Sequence, residues 1–414
     1  MKPKILVSHP TANVFSIALA KHLIDVGRLD SFRTSLAWNS QHPLLRLLPA
    51  SLRGQLMRRA VDPAFQPFLK THPLKETSRL ISTALKLRGL SAHEESLFSI
   101  DKVYRYIDRW VAKNVSKLES GSILYAYEDG ALHTFSAGKI AGHTCVYDLP
   151  IAYWSLRKTL FSEEMDRYPE WAPTMRGIAD SREKLNRKTE ETKLADLIIC
   201  PSDFVKKSIP PAVADPSKIA VIPFGSPDRS TDQIPYRIND TSGPLIVLFV
   251  ASMSQRKGLA DLFTAIRMMP TGSVKLRIIG APILPLEFYR KWGLEFEYLG
   301  TMPRENVLQH MREADIMVLP SIAEGRALVT QEALSQGLPI VITPNTGAED
   351  LIRSGENGFV VPVRSPETIA EKLTWFCDNR KEIESMKSAA QNSVSAFTWE
   401  HYAGGILEFI DSQP

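Results

Sequence analysis

Seven residues separate Glu324 from Glu332 in the stretch SIAEGRALVTQEALSQGLPIV, which reads as an apolar strand, a turn and a helix. Glu324 falls in the turn, Gly325 lets backbone approach a ligand, and the leading N–H groups of the helix point towards it. Such amides suit sugar hydroxyls or phosphate oxygens. Eight positions at about 1.5 Å each put Glu332 roughly 12 Å further along a helix axis, if helix fills that interval. Two carboxylates so placed address the two ends of one extended ligand, since each accepts hydrogen bonds from hydroxyls.

A second stretch, FVASMSQRKGLADLFTAI, ends a buried strand in Arg256, Lys257 and Gly258 before an amphipathic helix. A cation held near a helix start stabilises a bound diphosphate and its departure. Ser252, closer to the strand, supplies no charge. Arg256 either takes that part or is an exposed helix-start residue.

These residues need strands to hold them. Runs rich in Val, Ile and Leu, each followed by a turn residue and an amphipathic stretch, predict parallel strands alternating with helices. The first set covers Lys4–Pro10, Ser122–Glu128, Thr144–Pro150, Asp196–Ser202 and Ile219–Gly225. A second begins after a polar, turn-rich stretch and covers Pro244–Ser252, Val274–Ala281, Phe296–Gly300, Asp315–Ser321 and Pro339–Pro344. The expected layout is therefore α/β, with two Rossmann-like doubly wound domains facing across a cleft: residues 1–225, with a basic helical insert around 41–118, then a linker 226–243 and a second domain 244–397. Ligands of such sheets bind beyond the carboxyl ends of the strands, where both motifs fall.

Composition agrees with two globular cores: 414 residues, 44% apolar and 23% charged. A net charge of +4 is too small for this length to imply nucleic acid. Cys145, Cys200 and Cys377 are odd in number and widely spaced, which predicts neither a disulfide framework nor a zinc site and suits a reducing cytoplasm. The opening MKPKILVSHP leaves no room for a secretory leader, and no apolar run approaches the roughly 20 residues that span a bilayer. No GxGxxG follows the first strand, so a dinucleotide oxidoreductase lacks its phosphate loop.

The second half resembles family four of the glycosyltransferases, in Pro320, Ser321, Glu324, Gly325, Glu332, Gly337, Leu338 and Pro339, in Lys257 and Gly258, and through TPNTGAEDLI and ENGFVVPV. The resemblance implies the GT-B architecture, a nucleotide-diphosphate sugar as donor, retention of anomeric configuration, and a terminal helix over 398–414 crossing back to the first domain. It assigns Glu324 to the transferred sugar, Glu332 to the ribose, and Lys257 to the diphosphate, with Ser252, Arg256, Gly325, Arg326, Ala327 and Leu328 also on the donor. Where the family usually has Gly-Arg, this chain has Ala251 and Ser252. In the first half Thr11, Ala12 and Asn13 replace a glycine-rich turn, and Asn13 suits a helix cap. Of two histidines and an acid common in relatives, Glu128 alone survives; Asn13 and Glu128 are expected on the acceptor side. Asp148 stands about where a histidine often sits, either as a polar contact of the reacting sugar or as a structural hydrogen bond at a strand end. His9, His133 and His143 are given no catalytic part.

No Asp-x-Asp occurs, so no metal or cofactor is expected and side-chain charge neutralises the diphosphate. No carboxylate pair of the kind retaining hydrolases use is evident, which favours attack on the face the leaving group departs from. A nucleotide-sugar epimerase, a phosphorylase and a non-catalytic sugar-binding member are the competing readings. The acceptor is expected to be a glycan or a lipid-linked molecule. Residues 41–90 hold nine Lys or Arg against Asp62 and Glu76. Within them HPLLRLLPASLRGQLMRR interleaves leucines and arginines, either as an anionic-membrane contact or as a helical insert whose leucines enter the core.

Overall fold

The computed structural model describes residues 2–39, 59–85, 87–91, 94, 96–175, 179–226 and 243–413. Most of the leucine- and arginine-rich stretch 42–59 lies outside the described residues, as does the linker over 227–242.

Two parallel sheets form the frame. The first contains β1 (Ile5–Ser8), β2 (Leu29–Thr34), β3 (Leu69–Thr71), β4 (Ile123–Tyr127), β5 (Thr144–Asp148), β6 (Leu197–Cys200) and β7 (Ile219–Val221), in the order β3-β2-β1-β4-β5-β6-β7. The second contains β8 (Leu245–Val250), β9 (Val274–Ile279), β10 (Phe296–Gly300), β11 (Ile316–Leu319), β12 (Ile340–Ile342) and β13 (Gly358–Val360), in the order β10-β9-β8-β11-β12-β13. In both, strand order reverses beside the first strand of the set, at β1/β4 and at β8/β11. Each reversal opens a crevice at the carboxyl ends of two neighbouring strands. Ile5–Val7 and Leu245–Phe249 are buried because helices cover both faces, which is why they read as unbroken apolar runs.

Strands β2, β3 and β13 were not among those expected. LDSFRT mixes polar and apolar residues, yet Ser31, Arg33 and Thr34 are buried, with Arg33 bonded to Ser31 and the carbonyl of Val111. Tertiary partners, not alternation, make β2 a strand.

The last helix, Trp399–Asp411, packs on the helix Val14–Asp25 of the first half. Tyr402, Ile406 and Ile410 join the first core beside Leu19 and Leu23, and Asp411 pairs with Arg28 (3.1 Å) and Lys2 (2.8 Å). Gly225 admits this helix, since a β-carbon there would lie 2.5 Å from the backbone nitrogen of Trp399.

Traffic in the other direction was not foreseen. The helix Trp154–Arg167 and the 3-10 turn Pro169–Thr174 precede the linker, yet Trp171 is fully buried in the second core. Its ring meets Phe263, Phe288, Tyr289 and Trp292 at centroid distances of 5.1–6.0 Å. Glu164, also fully buried, accepts hydrogen bonds from Gln255 and Arg364, and Arg167 pairs with Asp261 at 3.0 Å. Residues 154–174 are therefore shared between the halves.

Trp171→Ala should cost about 3–5 kcal/mol of stability, the range for emptying a large aromatic site. Denaturant melts followed by probes in each half should both shift; a shift of under about 1 kcal/mol would show that the socket collapses without penalty.

Candidate functional site

At the second crevice the chain leaves β8 through Ala251–Ser254 into the 3-10 turn Gln255–Lys257. Gly258 ends that turn at φ 73°, and a β-carbon there would lie 2.0 Å from the carbonyl oxygen of Pro320, so no other residue closes this loop onto the end of β11. Gln255 fixes the turn from within: its Nε2 donates to Glu164 (2.6 Å) and Asp261 (2.8 Å), and its Oε1 accepts from the Ala260 N–H (2.9 Å). The Ile322 N–H donates to the Arg256 carbonyl at 2.9 Å, tying the two crevice loops together.

This brings Arg256, Lys257 and Glu324 to one point. Arg256 Nη1 lies 2.9 Å and Lys257 Nζ 2.7 Å from Glu324 Oε1. Burial pushes the Lys257 ammonium below its ordinary value, an effect that Glu324 opposes. Two cations against one carboxylate leave the point with a surplus positive charge, suited to an anion.

Glu324 is held from both halves. Its N–H donates to the Asn345 carbonyl (3.0 Å), and its carbonyl accepts from the Ala152 N–H (3.3 Å) across the cleft. Ser202 Oγ donates to the Gly325 carbonyl at 2.6 Å. A β-carbon on Gly325 would meet the Pro150 carbonyl oxygen at 1.7 Å. The glycine expected to let backbone approach a ligand thus lets backbone approach the other domain. The cavity between them is about 450 Å³, lined among others by Ser252, Arg256, Lys257, Glu324, Ala327 and Leu328.

Three expectations need correcting in geometry. The helix runs only over Leu328–Ser335, so residues 324–327 form a loop and the interval from Glu324 to Glu332 is not a straight 12 Å rise. Arg326 lines the cleft cavity, but its guanidinium is buried and committed to Asp350 (2.7 Å), the Gly347 carbonyl and Gln331, so its charge acts as a strut. Asp148 is buried at the end of β5, where Tyr125 (2.7 Å) and Tyr402 (3.2 Å) donate to its Oδ2, and it does not line the cleft cavity. Glu332 stands one helical turn beyond Leu328 and pairs with Arg304 at 2.8 Å.

The first crevice holds a smaller cavity of about 280 Å³, lined by His9, Asn13, Ile100, Tyr104, Glu128 and Asp129 among others. Asn13 caps the helix Val14–Asp25 through the Ser16 N–H (2.9 Å), and its Nδ2 lies 2.7 Å from His9 Nε2. Burial lowers the His9 imidazole to about 3, so it is neutral. Glu128 accepts from Lys188 (3.0 Å) and Arg157 (3.4 Å). The two loops carry non-glycine residues at positive φ, Ala12 at 50° and Asp129 at 71°, strain of the kind that gathers at ligand sites. Pro150 lines both cavities, so the crevices adjoin. Sequence reasoning missed Phe15 and Phe224, stacked at 4.8 Å on the wall of the larger cavity; their positions just past strand ends were the available signal.

Two Rossmann-like domains facing across such a cleft constitute the GT-B fold. Residues 231–393 match the family model described as glycosyl transferases group 1, which agrees with the glycosyltransferase motifs of the second domain. The chain is 28% identical over 234 residues to a protein named as a colanic acid biosynthesis glycosyltransferase, WcaL, of Salmonella typhimurium, covering 52% of this chain and 57% of the relative. It is also 28% identical over 220 residues to the D-inositol 3-phosphate glycosyltransferase of Corynebacterium kroppenstedtii, covering 48% of this chain and 49% of the relative. The chain thus spans about half the length of the curated relatives it matches. In fold it is similar to Anabaena HepE in complex with UDP-glucose, with TM-score 0.61 and 16% identity over the whole of both chains.

Burial raises the Asp148 carboxyl from its ordinary 3.8 to about 7. A raised folded pKa gives stability that is complete below about 4 and lost as pH rises through about 7. Asp148→Asn, always neutral, should flatten the melting temperature between these limits; a profile parallel to wild type would show that Asp148 does not hold its proton.

Proposed function

We propose that the protein transfers a sugar from a nucleotide-diphosphate donor to an acceptor hydroxyl, with retention at the anomeric carbon. The observation that carries this reading is the meeting of Glu324, Arg256 and Lys257 in the cleft, where the surplus charge faces the other domain. Support comes from the group 1 match over the second domain and from the glycosyltransferase names of its relatives. The UDP-glucose held by HepE, a protein of similar fold, makes uridine nucleotides the first donors to try.

On this reading the diphosphate displaces Glu324 from Arg256 and Lys257, and the released carboxylate accepts hydrogen bonds from the sugar. Arg256 supplies the second cation that Ser252 lacks. The leading amides of the helix Leu328–Ser335 complete the phosphate site, and Glu332 exchanges Arg304 for the ribose hydroxyls. The acceptor lies in the first-domain cavity beside Asn13 and Glu128. Its oxygen bonds to the anomeric carbon on the face from which the diphosphate leaves, and its proton passes to the departing phosphate oxygen. Side-chain cations stabilise the charge that develops there, in place of a metal. Asp148 acts beneath the site, by fixing Tyr125 and the terminal helix.

Thermal-shift screening of nucleotide sugars identifies the donor, and labelled-sugar transfer to glycan and lipid-linked acceptors tests turnover. Glu324→Ala should chiefly depress kcat, and Glu332→Ala should chiefly raise KM for the donor. Lys257→Ala should remove about 2–4 kcal/mol of transition-state stabilisation, with Arg256→Ala close behind and Lys372→Ala near wild type. Unchanged kinetics in folded Glu324 and Lys257 variants would reject the assignment; binding or epimerisation without transfer would favour the competing readings.

A further inference from the structure

Helices of water-soluble proteins bury apolar side chains and expose charged ones. The helix Leu74–Ala84 does the reverse. Glu76 is fully buried, bonded to Arg59 and to Arg79 (2.7 Å), while Leu74, Ile81 and the capping Leu85 are 64%, 54% and 64% exposed. At 100° per residue these three lie within about 20° of one line along the helix. The face continues beyond it. Leu87, whose N–H donates to the Ser82 carbonyl, and Leu97, whose carbonyl accepts from Lys75, are 46% and 57% exposed. Leu90, whose carbonyl accepts from the Phe98 N–H, is 40% exposed. With Ile100, seven of the large apolar side chains exposed among the described residues fall between positions 74 and 100. A gathering of this kind marks an interaction surface.

Charge identifies the partner. Residues 70–100 contain Lys70, Lys75, Arg79, Lys86 and Arg88 against Glu76, Glu94 and Glu95, and of these acids Glu76 and Glu94 are buried. No helix among the described residues is long and apolar enough to cross a membrane, and an exposed apolar face within a basic stretch of sequence suits the headgroup and acyl boundary. The face also leads to the site: Ile100, 40% exposed, lines the first-domain cavity with Asn13, Tyr104 and Glu128.

We propose that this face docks on an anionic lipid bilayer and brings the first-domain cavity to a hydroxyl carried by a membrane-borne acceptor. The acceptor half rests on the glycosyltransferase reading; the docking half does not.

Sedimentation with vesicles tests the docking directly. The full chain should bind mixed phosphatidylcholine–phosphatidylglycerol vesicles at low salt, ignore phosphatidylcholine alone, and be released as salt shortens the Debye length. Replacing Leu74, Ile81 and Leu85 together by glutamine should weaken binding at least about tenfold, since each contributes apolar area. Their exposure leaves the fold intact, as an unchanged thermal melt would verify. No binding by the wild type, or equal binding by the triple variant, overturns the proposal. If glutamines at Leu44, Leu45, Leu47 and Leu48 abolish binding while the triple variant keeps it, docking belongs to that stretch and the helix is excluded. A dimer that the triple variant splits, with vesicle binding unchanged, would make a second copy the occupant. Thermal shifts with uridine, guanosine and adenosine diphosphates on the same samples separate the two halves. Nucleotide binding without vesicle binding rejects docking alone, and vesicle binding without any nucleotide response rejects the donor reading alone.

Discussion

A carboxylate buried in a cleft must be neutralised by something, and around Glu324 the rest of the molecule is arranged to do it. Arg256 and Lys257 stand within 3 Å of Oε1, and burial has already weakened the hold of Lys257 on its proton. A buried cluster of this kind is costly to leave half paired. That cost explains the attention given to loop geometry: Gly258 against Pro320, Gln255 locked between Glu164 and Asp261, and the Asn345 carbonyl on the Glu324 amide. Each removes freedom from a residue that would otherwise lose its partner.

The same economy governs the contact between domains. Gly325 touches Pro150 at backbone level, and Ala152 and Ser202 bond to the carbonyls of Glu324 and Gly325. The loop that carries the acid is thus a surface of the interface as well as a wall of the site. Changes in the relative position of the two sheets act directly on Glu324, without a relay.

Much of this frame was legible in the sequence, because strands buried on both faces appear as plain apolar runs, as in LIVLFV and IMVL. The motif residues Glu324 and Lys257 could each be assigned to a strand end, and the structure makes those strands neighbours and brings the two residues into an ion pair. What stayed hidden depended on tertiary partners. Arg33 and Thr34 look like surface residues until the carbonyls of Val111 and Pro10 accept their hydrogen bonds. Arg326 reads as a ligand-binding cation until Asp350, twenty-four positions away, claims it. Asp148 reads as a site residue until two tyrosines, one from the terminal helix, enclose it. Gly325 was noticed for close backbone approach, and the neighbour that the structure shows there is Pro150 of the other domain. Helix Leu74–Ala84 fell within the expected basic helical insert, but the burial of Glu76 and the outward turn of Leu74 and Ile81 depend on its tertiary partners.

Trp171 carries a consequence for how the chain is made. It leaves the ribosome well before Phe263, Phe288 and Trp292, the aromatic rings that enclose it. At usual elongation rates the delay to Trp292 is on the order of ten seconds. Once the chain has passed Val221 the first sheet has all its strands, yet the segment 154–174 still has no partner and presents an indole to the surroundings. The nascent first half therefore has its sheet but neither the socket for Trp171 nor the last helix, Trp399–Asp411, that joins its core, and its completion waits on the sequence that follows the linker. Synthesis of either half by itself would leave an aromatic plug without a socket or a socket without its plug.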